Sequence, residues 1–365
     1  MTQTSVVIAP LAIPATLDAA DPAAADFIAA GRLLNDHMLE LWGNSDFHDT
    51  PETQLAGCRP TPVRRRVLLA ARDGDEILGL ATLGLPLADN THSAYVNVVV
   101  APHARRTGLG SRLYAAAEQA AAAGGRTTLL GETEHPAQPE QHTGTIAPKS
   151  GTGTIPADAA AAFAAAAGFT LEQVERISLL NLADASVGRE ALDDAAAAAG
   201  SDYELVFWRG PCPDQLVDSY AVLRQKMSTD APMAGLDLEE EHWDAARIRE
   251  DERKARDMDA EVLVSAVRHR PTGHLAGHTL LMVFNANPAV AFQDDTLVLR
   301  EHRGHRLGML LKTANLIRLG RELPQAARIW TWNAAENKHM LAINDQLGFE
   351  PVGYSGEWQK LRPAR

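Results

Sequence analysis

The chain has 365 residues, of which 45% are hydrophobic and 22% are charged. This length and composition indicate a folded globular protein of two domains, each large enough to bury its own core. The formal net charge of −13 disfavours nucleic acid and anionic membranes as partners. The sequence has neither an apolar run long enough to span a bilayer nor a basic and apolar leader, so we expect a cytoplasmic protein.

The N-terminal half shows its elements through hydrophobic periodicity and turn residues. It predicts a helix over Pro22–Trp42 and strands over residues 66–71 and 76–83, with a turn between the strands. A third strand, a basic turn and an alanine-rich helix follow. The run from 136 to 155, which contains Thr-Gly-Thr-Ile twice, reads as a flexible loop.

The C-terminal half predicts the same elements more clearly. A strand at residues 203–208 precedes helices at 213–227 and 237–258, the second of which is rich in Glu and Arg. Strands at 260–267 and 275–284 flank a Pro-Thr-Gly turn. The predicted order in both halves is β-α-α-β-β-β-α-β-α-β.

A β-rich run that leads into a basic, glycine-containing turn and an apolar helix occurs in both halves. The N-terminus of such a helix directs unpaired backbone N–H groups and the positive end of the helix dipole at an anion. The two turns therefore predict a phosphate-bearing ligand. Their basic and glycine residues are Arg105, Arg106, Gly108 and Gly110 in the first half and Arg303, Arg306 and Gly308 in the second.

The repeat continues downstream, where each half ends in a helix and a Gly-Phe pair, at Gly168-Phe169 and Gly348-Phe349. Two copies of one domain are implied. We place the N-terminal domain at residues 12–185 and the C-terminal domain at residues 200–365. Residues 182–200 read as a polar, alanine-rich connection, and we expect the two domains to pack as a fixed pair.

The turns and the order of elements resemble those of the GNAT acyltransferase superfamily, as a tandem two-domain member. The family's pyrophosphate turn, Arg/Gln-x-x-Gly-x-Gly/Ala after a proline, is matched in the first copy by Pro102, Arg105, Gly108 and Gly110. The second copy has Arg306 at the first glycine, where a positive φ strains any other residue and puts a tight turn in doubt. The resemblance implies an α/β fold of two GNAT-like domains, each a mixed, splayed β-sheet flanked by helices.

The resemblance also implies an activity. We expect an acyl-CoA-dependent N-acyltransferase that transfers acetyl from acetyl-CoA, or another acyl group from its CoA thioester, to the amine of a small metabolite by direct attack, without a metal. In this family the fourth and fifth strands splay apart, and the pantetheine bonds to the fourth strand as another strand would. The cofactor-binding residues that this resemblance implies are Val98, Val99, Val100, Arg105, Arg106, Thr107, Gly108, Leu109, Gly110, Ser111, Leu297, Val298, Leu299, Arg303, His305, Arg306, Gly308, Asn333 and Asn337.

Direct attack requires a base that takes a proton from the ammonium group. Asp294 and Asp295 lie on the predicted fourth strand of the second copy, where neighbouring side chains point to opposite faces, so one of them should face the cleft. The first copy has Val96 and Asn97 at these positions, and its base candidates are Glu132 and Glu134, at the end of the predicted fifth strand. We therefore predict that the second copy carries the acyl transfer.

The reaction also requires a proton donor for the leaving thiolate. Many members of the family use a tyrosine five residues before the phenylalanine of the closing Gly-Phe pair. This chain has Ala164 and Asn344 at those positions, and Tyr354 is the substitute that the sequence offers.

Two other function classes compete with this interpretation. The missing tyrosine is consistent with a protein that binds or senses acyl-CoA without turnover. A nucleotide-binding oxidoreductase fits less well, because the first turn lacks the third glycine of a dinucleotide fingerprint. Protein or peptide amines are alternative acceptors, and nothing in the sequence specifies an oligomeric state.

Overall fold

The computed structural model describes residues 6–18, 20–137, 144–185 and 188–362. The helices are α1 (Pro22–Trp42), α2 (Pro51–Cys58), α3 (Leu109–Ala123), α4 (Ala159–Ala166), α5 (Arg189–Ala199), α6 (Val217–Asp230), α7 (Ala245–Asp257), α8 (Leu307–Glu322) and α9 (Lys338–Leu347). The strands are β1 (Val7–Leu11), β2 (Arg64–Asp73), β3 (Glu76–Pro86), β4 (Ser93–Val100), β5 (Thr128–Pro136), β6 (Thr145–Ile146), β7 (Ile155–Pro156), β8 (Thr170–Asn181), β9 (Tyr203–Arg209), β10 (Ala260–His269), β11 (Leu275–Phe284), β12 (Val290–Val298), β13 (Arg328–Ala334) and β14 (Glu350–Leu361).

The order of these elements confirms the predicted α/β fold in two copies. The first copy runs β1-α1-α2-β2-β3-β4-α3-β5-α4-β8, and the second runs β9-α6-α7-β10-β11-β12-α8-β13-α9-β14. Only the short pair β6 and β7 interrupts the first copy between β5 and α4. Among the described residues, no helix combines the length and apolarity that a membrane crossing requires.

The chain divides into two compact units. Unit 1 takes the chain up to Val174, the segment Ala234–Leu238 and the chain from Tyr354 onward; unit 2 comprises Glu175–Met233 and Glu239–Gly353. Most of the closing strand β14 of the second copy thus belongs to unit 1, and the end of β8 belongs to unit 2. The domain ranges 12–185 and 200–365 and their fixed packing stay predictions.

Unit 1 is built on a mixed sheet in the order β1-β2-β3-β4-β5-β14. Neighbouring residues of β2 enter different hydrophobic clusters, because successive side chains of a strand point to opposite faces. Leu69 packs in a cluster with Leu113 of α3, whereas Leu68 packs with Phe27 of α1 and Leu55 of α2. The sheet is therefore covered by α3 on one face and by α1 and α2 on the other.

Unit 2 repeats this arrangement on the order β8-β13-β12-β11-β10-β9. Leu263 of β10 packs with Leu311 of α8, and its neighbour Val264 packs with Tyr220 of α6 and Ile248 of α7. In both units the helix that follows the basic turn lies on one face of the sheet, and the first two helices of the copy lie on the other.

Three sequence predictions of local structure are corrected. Residues 182–200 are not a simple connection, because they contain α5, whose Ala195 and Ala199 are buried in the core of unit 2; residues 186 and 187 lie outside the described part. The loop predicted at 136–155 contains β6 and leads into β7, with Ile155 fully buried; residues 138–143 are likewise not described.

The third correction concerns the predicted helix at 237–258, which is confined to α7. Within unit 1, the backbone N–H of Asp237 donates to Gln359 Oε1 at 2.6 Å, and its carboxylate accepts from the Thr128 hydroxyl at 2.6 Å. These bonds engage the backbone and side chain of Asp237 outside a helix. The helix starts only after Asp244, whose side chain caps it.

Candidate functional site

The first basic turn enters helix α3 through two residues in the left-handed conformation. Arg106 and Gly108 have φ angles of 64° and 83°. Helix α3 begins directly afterwards, at Leu109. The N–H groups of its first turn have no carbonyl partner within the helix, so the turn has the backbone donors that an anion needs.

The second turn has the same conformation with the residue types exchanged. Gly304 has a φ of 90° where the first copy has Arg106, and Arg306 has a φ of 53° where the first copy has Gly108. The tight turn that the sequence puts in doubt is therefore formed. A left-handed residue other than glycine costs about 1–2 kcal/mol, so the second copy keeps this turn against local strain.

The first arginine of each turn is held by the protein itself. The Arg105 Nε donates to the carbonyl of Val100 at 3.0 Å, and its guanidinium donates to both oxygens of Glu40 at 2.8 and 2.6 Å. Arg303 donates in the same way to a strand carbonyl at 3.1 Å and to Asp230 at 2.9 Å. The hydrogen bonds from Arg105 lower the pKa of Glu40. Each arginine thus fixes its turn against the first helix of its copy, α1 or α6, and the sequence did not reveal the acidic partners.

The second glycine of each turn allows close packing of two helices. A methyl group at Gly110 would lie 3.4 Å from the ring of Phe163, and one at Gly308 would lie 3.0 Å from Ile343. Phe163 lies on α4 and Ile343 on α9, so both glycines serve the approach of the following helix. In both copies this glycine therefore has a structural role in helix packing.

The remaining residues predicted in the first turn have divided roles. The Thr107 hydroxyl donates to the carbonyl of Ala104 at 2.8 Å, which braces the turn internally. The Leu109 side chain is buried in the core, whereas Ser111 is exposed in the first turn of α3. Of these two residues, Leu109 therefore offers a ligand its backbone N–H, whereas Ser111 offers its N–H and its hydroxyl group.

Both sheets open between the fourth and fifth strands of the copy. The parallel pairing of β4 with β5 is limited to Ser93–Tyr95, and that of β12 with β13 to Val290–Gln293. Beyond these residues the facing edges carry no strand-to-strand pairing in the described structure. Apart from the carbonyls of Val100 and Val298, which accept from Arg105 and Arg303, backbone donors and acceptors are thus available there. The predicted pantetheine-binding residues Val98, Val99, Val100, Leu297 and Val298 lie on these open stretches, and Leu299 follows at the end of β12.

Two of the predicted asparagines contribute differently to the second opening. Asn333 lies on β13 beyond the last residue paired with β12, and its Oδ1 accepts a hydrogen bond from the buried Asn344 at 2.6 Å. The Oδ1 of Asn344 has no hydrogen-bond partner among the described residues. Asn337 instead caps α9, with its Oδ1 accepting from the N–H of Met340 at 3.3 Å. The side chain of Asn333 is therefore the one placed at the open edge.

A β-bulge in β12 brings both acids of the second copy to one place. Thr279 pairs with Thr296 and Leu281 pairs with Gln293, so Asp294 and Asp295 together lie opposite the single residue between them on β11. A bulge breaks the strict alternation of side chains along a strand. The first copy pairs β3 with β4 without a bulge, and Asn97 alone occupies the corresponding position. The prediction that the two acids point to opposite faces is therefore replaced by a shared site.

Asp295 is fixed by Arg224 of α6. Its Oδ2 lies 3.1 Å from the Arg224 Nε and 3.9 Å from the buried His278. Burial alone would raise the pKa of Asp295, but the Arg224 charge outweighs it and holds the pKa below its usual value. Burial lowers the pKa of His278. Asp295 is thus a carboxylate, and His278 a neutral imidazole.

Asp294 has no ion-pair partner within 4 Å in the described part of the chain. It lines a cavity of about 420 Å³ on the α6 and α7 side of the sheet. Surrounding protein raises the pKa of Asp294 from its ordinary value of 3.8 to about 7, and the negative charge of Asp295 contributes to the rise. A carboxyl group with this pKa, at the point where β12 and β13 separate, can exchange a proton near neutral pH.

The comparisons with known proteins agree with this geometry. Residues 32–142 match the model of the Acetyltransferase (GNAT) family. A solved tandem GNAT protein from the clavulanic acid biosynthesis pathway is 27% identical, with 99% of this chain and 100% of that chain covered and a TM-score of 0.74. The chain thus contains a GNAT domain, and over its whole length it is similar to a tandem GNAT protein.

More distant structures share the fold of this tandem GNAT chain. A GCN5-related N-acetyltransferase from Sphaerobacter thermophilus is 14% identical, with 99% of this chain and 97% of that chain covered and a TM-score of 0.62. A glucosamine N-acetyltransferase region of a fungal multi-domain protein is 13% identical, with 98% and 38% covered and the same TM-score of 0.62. No curated protein matches the chain in sequence. Taken with the family match, the chain is a GNAT-type N-acetyltransferase, a family that uses acyl-CoA.

The first GNAT copy has a different set of polar groups at its opening. Burial raises the pKa of Glu132, and the Ser355 side chain opposes this rise through a hydrogen bond. The neighbouring Glu134 accepts from the Trp42 indole at 2.7 Å. Thr133, between them, accepts from the Trp358 indole at 2.8 Å. The surroundings of Glu132 therefore disfavour its ionised form.

Tyr354 belongs to unit 1, although it follows the second Gly-Phe pair in sequence. It packs against the cluster that contains Ile155, Leu171 and Trp358. Sequence order suggests a proton donor for the second copy. The structure instead makes Tyr354 part of the surroundings of the first copy.

The histidines near the second GNAT turn form an aromatic group with Tyr203. The Tyr203 hydroxyl lies 2.9 Å from His302 Nδ1, and its ring lies 5.2 Å from that of His305. Burial and the neighbouring His269 lower the pKa of His302. No group of three or more metal-ligating side chains with a suitable arrangement occurs among the residues described.

The strain at Arg306 gives a first prediction. Arg306→Gly should raise the free energy of unfolding by about 1 kcal/mol, because glycine accepts a positive φ without the steric cost. The same change should weaken acetyl-CoA binding, since it removes a cation from the turn. Urea unfolding and calorimetric titration measure the two effects. Gly304→Ala, at a φ of 90°, is the matched control and should destabilise; a loss of stability in Arg306→Gly would contradict the account of the turn.

The raised pKa of Asp294 gives a second prediction. The folded protein holds this proton more tightly than the unfolded chain, so the stabilisation is present below about pH 4 and is lost as pH rises through about 7. Asp294→Asn should therefore stabilise the protein at pH 8 and have little effect at pH 4. Thermal unfolding at the two pH values measures the difference. Equal shifts at both values would mean that the carboxyl group is not perturbed.

Proposed function

We propose that unit 2 catalyses acetyl transfer from acetyl-CoA to the primary amine of a small molecule by direct attack. The observation that carries this proposal is the bulge in β12, which places a carboxyl group with a pKa near 7 just beyond the last residue that pairs with β13, beside a cavity on the α6 and α7 side of the sheet. The first copy lacks the bulge, and the residue at the corresponding position is Asn97 rather than an acid. The two copies share the turn and the opening, so the acids are what distinguishes the second copy.

The residues of unit 2 suit the substrates that this reaction requires. The unpaired edge of β12 offers strand-like hydrogen bonds to the pantetheine amides, and the backbone of the turn from Arg303 to Gly308 offers donors to the pyrophosphate. Asn333 lies on the opposite edge of the same opening. This arrangement supports a thioester carbonyl held near the apex of the opening, close to Asp294.

In the proposed step, Asp294 accepts the proton that the attacking ammonium must lose. The amine nitrogen then forms a bond to the thioester carbon, the carbon–sulfur bond breaks, and the thiolate leaves with a proton from Asp294 or water. Asp295 contributes a fixed negative charge that raises the pKa of Asp294. Arg224 keeps Asp295 ionised and is itself shared with Asp251, at 3.5 Å. Asp295 is therefore a positioning and tuning residue in this proposal.

For the first copy, we propose that the complete turn holds acyl-CoA without being the main site of transfer. Support comes from the left-handed Gly108 and the open edge of β4. Glu132 is the alternative base, and a catalytic first copy is the outcome that the experiment must distinguish.

The experiment measures turnover against pH for three carboxyl-to-amide variants. Asp294→Asn should reduce kcat by about 100- to 10,000-fold, the usual effect of losing a general base, while acetyl-CoA still binds. In the wild type, kcat/KM should rise with pH through about 7, because Asp294 must lose its proton to act. Asp295→Asn should move this kinetic pKa downward, because it removes the neighbouring negative charge.

Glu132→Gln is the matched control in the first copy and should leave kcat within a few-fold of the wild type. A large loss in Glu132→Gln together with near wild-type turnover in Asp294→Asn would assign the reaction to the first copy. An unchanged kinetic pKa in Asp295→Asn would remove the tuning role.

A further inference from the structure

The cavity beside Asp294 has a wall of a definite chemical kind. Its lining includes the side chains of Trp208, Tyr220, Ile248, Val264, Leu280 and Met282. All of these except Met282 are buried, at 7% exposure or less. The Trp208 and Tyr220 rings meet edge to face, with centroids 5.1 Å apart. This part of the wall is thus apolar, partly aromatic and held in place by the core between the sheet and helices α6 and α7. The rest of the lining includes the charged residues Arg224, Asp251, Glu252, Lys254, Arg256, Asp259, Glu261 and Asp294.

The buried cation of the cavity is not available to a ligand. The guanidinium of Arg224 lies against Asp295 and Asp251, and its carbon lies 4.5 Å from the centroid of the Trp243 ring. A carboxylate or phosphate group on a substrate would have to compete with two acids that already hold this cation. The inner part of the cavity therefore does not favour an anionic substituent.

The acids of the cavity differ in whether a cation of the protein already holds them. Glu252 accepts from the Cys212 N–H at 2.7 Å and from Arg249 at 2.8 Å, and Asp251 shares Arg224. Of the other acids in the lining, Glu261 pairs with Arg209 at 2.8 Å, and Asp259 accepts from the Asn285 amide at 2.8 Å. Asp294 has no cation within 4 Å in the described structure. An ammonium group placed beside it would supply the missing partner, and the rest of the molecule would then lie against the apolar wall.

We propose that the acceptor is a primary amine on an apolar body of about the size of one aromatic ring, bound in this cavity with its nitrogen at Asp294. This proposal rests on the proposed function of unit 2 and adds the class of substrate to it. A volume of about 420 Å³ lies at the small end of ligand pockets. It suits a compact amine rather than a segment of protein, with the body of the amine against the apolar part of the lining.

The experiment compares four amines with the full-length enzyme and saturating acetyl-CoA. They are 2-phenylethylamine, ethanolamine, glucosamine and phenylalanine. Burying one ring should raise kcat/KM for 2-phenylethylamine about 10- to 100-fold above ethanolamine and glucosamine. Phenylalanine, which adds only a carboxylate, should fall below 2-phenylethylamine. Its carboxylate also tests whether Lys254 and Arg256, the cations that α7 contributes to the lining, bind an anionic group of the acceptor.

A substitution in the wall provides the second arm. Met282→Trp should reduce kcat/KM for 2-phenylethylamine at least 10-fold while acetyl-CoA affinity stays unchanged, because the larger ring fills part of the cavity. Met282→Leu conserves the side-chain volume and should change kcat/KM for 2-phenylethylamine by less than about threefold. Equal loss in both variants would show that the wall does not contact the amine body.

The outcomes separate the two proposals. If ethanolamine, glucosamine or phenylalanine is the best acceptor and its acetylation requires Asp294, the substrate class is wrong and the proposed function stands. If 2-phenylethylamine is acetylated equally well by the wild type and Asp294→Asn, the proposed function itself is wrong. Preference for 2-phenylethylamine, lost in Met282→Trp and dependent on Asp294, supports both.

Discussion

The separation of two parallel strands is the constraint on which the sites of this protein depend. A parallel pair normally continues its hydrogen bonds along its whole length, but here β4 and β5 pair over only three residues and β12 and β13 over four. Beyond these points the facing edges pair with no strand in the described structure, and among their backbone groups the carbonyls of Val100 and Val298 accept from Arg105 and Arg303. Unpaired backbone groups need a partner, and an extended amide chain can provide one. The short pairing thus creates an opening in each sheet that suits a pantetheine arm.

The two copies use this opening differently because of one extra residue. In β12 the bulge places Asp294 and Asp295 where β4 has only Asn97. Two neighbouring carboxylates cannot both ionise freely, so Arg224 holds the charge of Asp295 and the pKa of Asp294 rises. The same bulge orients both acids toward helices α6 and α7. The proposed proton-transfer group thereby lies beside the cavity on this face of unit 2.

The sequence predicted the order of elements and the basic turns because these depend on local patterns. Helix Pro22–Trp42 and strand Leu275–Phe284 were predicted at their observed bounds, since periodicity and flanking turn residues determine both. The adjacent pair Asp294-Asp295 in an apolar strand was a visible signal. Its interpretation assumed regular alternation, and a bulge depends on pairing with β11, which no local pattern reveals.

Long-range partners were the part that local patterns could not predict. Glu40 holds Arg105 across 65 positions of the chain, and Arg224 holds Asp295 across 71. Residues 237–244 have a helical composition, but a bond from Asp237 to Gln359 keeps them out of α7. Tyr354 follows the second copy in sequence and yet belongs to unit 1. In each case the decisive contact joins residues that are remote in the chain.

The central claim is that Asp294 is the group that exchanges a proton in the active site. Carbon-13 NMR of protein labelled at the aspartate carboxyl carbons tests it most directly, with the Asp294 signal assigned by its absence from the Asp294→Asn spectrum. The account predicts that this signal titrates near pH 7 in the intact enzyme and at lower pH when Asp295 is replaced by asparagine. Titration near the ordinary value of 3.8, in both proteins, would contradict it.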